Sequence, residues 1–177
     1  GIRRQVDHLV LVPGVQRRSI PYTFLVIENN EINAFATLGG FVYVHTGLIQ
    51  AADNEAQLAS TIAHEIGHVD RRHVVEGLKQ AAIAEGLLTS IGVEQNAVVG
   101  LGVELALRRP NSRAHELEAD RAGLTLLQQA GYAPIAATDF LKNLLEQPNN
   151  TPDFLNTHPH PEARIEALNE QIALAAA

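Results

Sequence analysis

The chain has no cysteine, no methionine and no tryptophan. Without cysteine there are no disulfides and no thiolate metal sites, so a metal centre here has to be built from histidine and oxygen donors. The redox compartment stays open. The lack of methionine, with Gly1 in first place, points to a processed or excised form, from which a signal peptide or anchor could have been lost. Positive charge is scarce as well. The formal net charge of −7 argues against nucleic acid as a partner. The short clusters "QRR" at 16–18 and "DRRH" at 70–73 read as solvated surface. A long apolar run is also missing. The most apolar stretch, "GLLTSIGVEQNAVVGLGVELAL" at 86–107, is interrupted by Glu94 and Glu104. It falls short of the roughly 18 uncharged residues of a membrane span and reads as a pair of helices.

What is present is ordinary for a folded domain. Hydrophobic residues make up 46% of 177 positions, enough for one domain, 1–177, with a real core. Ile2, Val6, Leu9 and Val10 have helical spacing, which predicts a helix over 2–12 closed by Pro13-Gly14. "YTFLVIE" at 22–28 reads as a strand, and "NAFATLGGFVYVHTGL" at 33–48 as two short strands about Gly39-Gly40. From Asp53 the pattern turns helical. Asn54 is a candidate cap with Gln57 three residues on, and this helix is predicted to run to about Gln80. Further helices are expected near 82–91, 95–108, 112–130, 134–146 and 161–174, with Gly131 closing the one over 112–130. Residues 146–163 carry four prolines and read as a loop. Strands come first and helices follow, an α+β, helix-rich arrangement with a small N-terminal sheet beside the helix that begins at Asp53.

That helix carries "HEIGHVDRRH" at 64–73. His64 and His68 are i and i+4, so their Cβ atoms share a face about 6 Å apart. Two such imidazoles reach one metal ion with bonds of about 2.0–2.1 Å. Glu65 projects beside the pair, where it can touch a water activated by the metal without being a ligand; this is the general-base position of HExxH peptidases. Gly67 permits close approach of another element. His73, about half a turn round from His64, cannot join the pair on an unbroken helix and reads as a surface histidine. A metzincin extension is excluded, because Arg71 and Val74 stand where glycine and histidine would be required.

A catalytic zinc takes a third protein ligand. Glu76 lies about 12 Å along the axis from His68, too far. In "SRAHELEADRAG" at 112–123, Glu116 and Asp120 share a face that continues through Gly123, Leu127 and Ala130, so it points inward. Glu118 falls on the face of Ala122, Thr125 and Gln129, which reads as solvated. Glu116 is the third ligand this reading selects. Asp120 is placed to accept from the distal nitrogen of a ligating histidine. His115 points about 100° away from Glu116 and is not chosen.

"HEIGH" followed by "SRAHELEAD" resembles the HExxH…ExxxD zinc metallopeptidases of the HtpX, Oma and CAAX-prenyl-protease type, peptidase family M forty-eight. "INAFATLGGFVYVHTGLI" at 32–49, "GLTLLQQAGYAP" at 123–134 and "THPHPEARI" at 157–165 are similar to it too, in order along most of the chain. The resemblance implies a gluzincin fold, one zinc per chain and endopeptidase activity, with His64, His68 and Glu116 on zinc and Glu65 in catalysis. It also implies polypeptide substrates, unfolded or misfolded, in protein quality control. The absence of spans among the motifs resembles soluble periplasmic or otherwise extracytoplasmic bacterial members. Those often carry a helical repeat module, which here would follow Ala177.

The resemblance further brings His158 forward as an active-site residue, to donate to an oxyanion or to occupy the open position on zinc in a resting state; His160 is its competitor. Arg164 is a second candidate for the oxyanion or for substrate. Zincins commonly bind substrate as an added strand. Gly39 and Gly40 are therefore expected as substrate contacts, with Phe41–Val44 as a candidate edge. Two other classes compete: a catalytically silent or autoinhibited zinc-binding scaffold of chaperone type, and a helical interaction module whose HExxH is accidental. The intact Glu65 argues against the first; metal content would exclude the second.

Overall fold

Tyr22 to His45 is rich in aromatic and β-branched residues, and the computed structural model folds this segment into a three-stranded sheet. The structure describes residues 19–84, 111–147 and 152–176, together with Leu9, Pro13, Val15, 100–102 and Glu104. The strands are β1 (Thr23–Ile27), β2 (Ala34–Ala36) and β3 (Phe41–His45). Then come helices α1 (Thr46–Ala51), α2 (Glu55–Arg71), α3 (His73–Ala84), α4 (Arg113–Gln129), α5 (Ile135–Leu145), α6 (Asp153–Thr157) and α7 (Pro161–Ala175). The sheet order is β1-β3-β2, with β1 parallel and β2 antiparallel to β3. β3 is thus central, with both of its edges paired. Among the described residues the free edges belong to β1 and β2, which corrects the expectation that Phe41–Val44 form an edge. A tight turn links β2 to β3 through a single 3-10 turn, Leu38–Gly40, where Gly39 and Gly40 have φ of 80° and 83°. Only glycine takes that region without strain.

Helix α2 runs through the middle of the molecule, between the sheet and helices α4 and α5, and every residue from Gln57 to Asp70 is buried. Its start follows the sequence closely. The Asn54 side chain accepts from the Gln57 N–H, and the Gln57 carboxamide oxygen accepts from the Asp53 N–H. Two glycines set how near α2 and α4 come. A Cβ on Gly67 would stand 2.7 Å from the Ala119 carbonyl oxygen, and one on Gly123 would stand 2.9 Å from the His64 nitrogen. Each helix lays a glycine against the other's backbone. At the far end of α4, Gly131 (φ 78°) donates to the Gln128 carbonyl and Tyr132 to the Leu127 carbonyl. This is the Schellman closure expected of Gly131.

Four features differ from the sequence reading. The helix expected to reach Gln80 breaks at Arg72, which adopts the left-handed conformation (φ 63°), and α3 starts afresh at His73. Thr46–Ala51 is a short helix rather than the tail of a strand. The proline-rich loop contains α6, tied at one end by the Phe154 N–H to the Ile32 carbonyl and at the other by the Asn111 N–H to the Thr157 carbonyl. Ala122, grouped with a solvated face, is buried. The helix expected over 2–12 and the pair over 86–107 lie largely outside the described residues; Leu9, 100–102 and Glu104 are helical there. Among the described residues no helix is long and apolar enough to cross a membrane.

Candidate metal centre

The i, i+4 spacing puts His64 and His68 on the face of α2 that looks at α4, and the glycine contacts bring α4 within side-chain reach. The Nε2 atoms of His64 and His68 end 2.9 Å apart. Glu116, from the first turn of α4, lies with Oε2 3.4 Å from His64 Nε2 and Oε1 3.3 Å from His68 Nε2. His158 comes from the segment between α6 and α7, with Nδ1 3.3 Å from both His64 Nε2 and Glu116 Oε1. All four side chains are buried, and one donor atom from each lies within 4.8 Å of the others, a group that could hold a metal ion. Four ligands about 2.0–2.1 Å from one tetrahedral ion stand about 3.3 Å from one another. The observed separations match that spacing, and three imidazoles with one carboxylate are a donor set that suits zinc.

The outer nitrogens face different partners. His64 Nδ1 is 2.8 Å from Asp120 Oδ1. Asp120 in turn receives two bonds of 2.7 Å, from Nε and Nη2 of Arg164. His68 Nδ1 is 2.9 Å from Nδ1 of His73. Glu65 is 1% exposed and points to the other side of His158, whose Nε2 is 3.4 Å from Glu65 Oε1. Those two atoms have no hydrogen-bond partner among the described residues, whereas the Ala36 backbone of β2 stands close enough to the Glu65 carboxylate to favour its charged form. The edge strand and Glu65 are therefore in contact.

Burial and charge set the protonation of the site. Burial and Arg164 disfavour a charged His64, but Asp120 and Glu116 outweigh them and raise it to about 9. Burial lowers His68 to about 3 against the pull of Glu116. The two imidazoles, nitrogen to nitrogen, hold one proton between them, on His64. Burial raises Glu65, opposed by His158 and His64. Burial works to raise Glu116 and Asp120 too, yet both sit below the usual carboxylate range: His158 and Arg164 hold Glu116 down, and Arg164 with His64 holds Asp120 down.

The structure gathers His64, His68, Glu116, Asp120, Glu65 and His158, and places the remaining candidates differently. Arg164, expected to meet substrate, is 2% exposed. Its guanidinium is directed at Asp120, at Glu116 Oε2 (2.9 Å) and at the His158 carbonyl (3.2 Å), so its donors are engaged inside the protein. His160 is exposed and immediately precedes α7. Gly39 and Gly40 line a cavity of about 310 Å³ together with Thr37, Leu38, His68 and Val69. Glu118 is half exposed, and Glu76 is outside the group, 3.1 Å from His115.

His73 requires a full correction. It is 3% exposed, not a surface residue, because the left-handed Arg72 swings it off the far face of α2 and back toward His68. The sequence offered no glycine or proline to announce that break. Phe154 was also missed: it stacks on His158 at 4.3 Å and 23°, holding the imidazole from behind. Its apolar spacing from His158, i and i+4, was the available signal.

The chain is similar to known proteins. The chain is 37% identical over 171 residues to the beta-barrel assembly-enhancing protease of Escherichia coli K12, covering 88% of this chain and 35% of that protein. It is 34% identical over 177 residues to the putative beta-barrel assembly-enhancing protease of Vibrio cholerae, covering 91% and 37%. It is 35% identical over 153 residues to the mitochondrial metalloendopeptidase OMA1 of Arabidopsis thaliana, covering 84% and 31%. The chain thus spans about a third of the length of these relatives. The sequence model described as Peptidase family M48 matches residues 1–172, nearly the whole chain. With that match, and with relatives themselves named as proteases, the chain belongs to peptidase family M48.

Proposed function

We propose that residues 1–177 form a single zinc-dependent endopeptidase domain, with His64, His68 and Glu116 on one zinc ion and Glu65 as general base. The observation that carries this reading is the convergence of both Nε2 atoms and one carboxylate from two helices on a single point, with a buried, unbonded Glu65 oxygen beside it. A zinc ion there supplies Lewis acidity, making water more acidic and polarising a scissile carbonyl. Glu65 takes the proton of the attacking water and delivers it to the leaving amine. Asp120 accepts from His64 Nδ1 and keeps Nε2 turned inward. Arg164 pairs with both buried carboxylates, Glu116 and Asp120. The β2 edge, where the Ala36 backbone meets Glu65, suits an extended polypeptide, and the cavity at Gly39-Gly40 suits one of its side chains.

His158 fits the role of a fourth donor in a resting state. Its Nδ1 lies 3.3 Å from both His64 Nε2 and Glu116 Oε1, where it would hold zinc beside them, and its departure would open that position to substrate. An autoinhibited form is thus the second reading this geometry favours. The substrates proposed are unfolded or misfolded polypeptides, and the compartment is periplasmic or otherwise extracytoplasmic, in keeping with relatives named for enhancing β-barrel assembly.

Glu65→Gln tests the mechanism. Zinc content and fold stay at wild-type level while casein cleavage drops by at least about a thousandfold, since a base is needed for turnover and not for coordination. Loss of zinc in that variant, or retained cleavage, would sink the assignment.

A further inference from the structure

His68 has two ring nitrogens, and zinc needs the lone pair of one. The Nε2 atom faces Glu116 and His64, so the proton of a metal-ready His68 sits on Nδ1. That proton is buried with the residue and requires an acceptor. The atom 2.9 Å away is Nδ1 of His73. One of two facing imidazole nitrogens donates and the other accepts, so His73 presents a bare Nδ1 and carries its own proton on Nε2. Glu118 Oε2 lies 3.4 Å from that Nε2. The His115 ring stacks on His73 at 4.2 Å and 10°, fixing its plane. Every piece of this arrangement depends on the left-handed turn at Arg72, which an L-residue adopts at a cost of about 1–2 kcal/mol.

We propose that His73 positions His68 for metal binding by accepting its Nδ1–H, a neutral counterpart to the Asp120 carboxylate behind His64. The proposal rests on the zinc reading above. It gives the break at Arg72 a purpose: a continuous helix would leave His73 on the opposite face, and the second histidine would hold its tautomer without help.

Zinc titration of the intact protein against a chromophoric chelator tests this, using His73→Leu, which cannot accept, and His73→Asn, whose side-chain oxygen can take the Nδ1 place. His73→Leu weakens zinc about ten- to a hundredfold, while His73→Asn stays within about threefold of wild type. A leucine variant that binds zinc as wild type does, or an asparagine variant that loses as much as leucine, overturns the proposal. Because the leucine variant risks misfolding, a second measurement uses the wild-type protein. Nitrogen-15 spectra of the zinc-loaded form show a slowly exchanging His68 Nδ1–H with scalar coupling to His73 Nδ1. A fast-exchanging proton without that coupling overturns it as well. If wild type takes up no zinc at all, the zinc reading itself fails; if wild type binds and only the His73 results disagree, this inference alone falls.

Discussion

The two histidines of α2 proposed as zinc ligands rest on opposite supports. Behind His64 stands a fixed-charge pair, Asp120 bonded twice to Arg164, all of it buried. Behind His68 stands a chain of neutral imidazole leading to Glu118, whose carboxylate is half exposed. The first support is a buried ion pair, so it links the metal site to the stability of the fold. The second reaches solvent within two residues, so it can tune a ligand without much bearing on folding. The difference explains why burial wins at His68, lowering it to about 3, while charge wins at His64, raising it to about 9.

The largest effect expected from breaking this contrast comes from Asp120→Ala. It leaves the buried Arg164 guanidinium with Glu116 as its remaining ion-pair partner, and metal-free stability drops by about 3 kcal/mol, the low end for breaking a buried pair. Thermal or urea unfolding of the metal-free protein checks it; a loss under about 1 kcal/mol would mean that the ion pair is decorative. Next is Gly123→Ala. The new methyl meets the α2 backbone at His64 and forces the two helices apart, at about 1–3 kcal/mol. Zinc affinity drops with it, because Glu116 rides on α4; unchanged affinity would show that the site does not depend on this crossing.

The shared proton offers a sharper measurement. With His64 raised to about 9, the metal-free site holds one proton at pH 7, and zinc must displace it to reach Nε2. Apparent affinity therefore rises as pH increases toward about 9 and levels above it. Calorimetry in buffers of different ionisation enthalpy reads the proton release directly, and a heat independent of buffer would contradict it. The smallest effect belongs to Glu118, set against Glu116 on the inward face of α4. Glu116→Gln removes a donor and strips zinc at micromolar concentration. Glu118→Gln, on a half-exposed group, changes stability by no more than about 0.5 kcal/mol and leaves zinc bound. Reversed behaviour would mean that the faces of α4 had been assigned wrongly.

Those faces were legible from spacing alone. Each residue of a helix turns by about 100°, so His64 with His68 and Glu116 with Asp120 had to share faces wherever the helices lay. The Asn54 cap, the Gly131 closure and the turn at Gly39-Gly40 were legible for a similar reason: each depends on the chemistry of a few neighbouring residues. Family likeness, not spacing, singled out His158 from the other loop histidine, and it was contact with α2 and α4 that buried it. The position of β3 between two partners could not be read from its own alternation, which is the same for a central and an edge strand.

What the sequence determined by itself is therefore local: which side chains share a helix face, where α2 starts, where α4 ends. The tertiary structure decided the rest. Arg72 is an ordinary helix former, and nothing in "DRRH" marks a left-handed residue. The break forms where burial of His73, its bond to His68 and its stack on His115 together outweigh the local strain. Arg164 reads locally as one more charge on a helix, and only the packing of α7 against α4 turns it inward onto two carboxylates. Interactions that span 44 residues, as Arg164 to Asp120 does, leave no periodicity to find, because their energy depends on the assembled fold and not on the chain's local geometry.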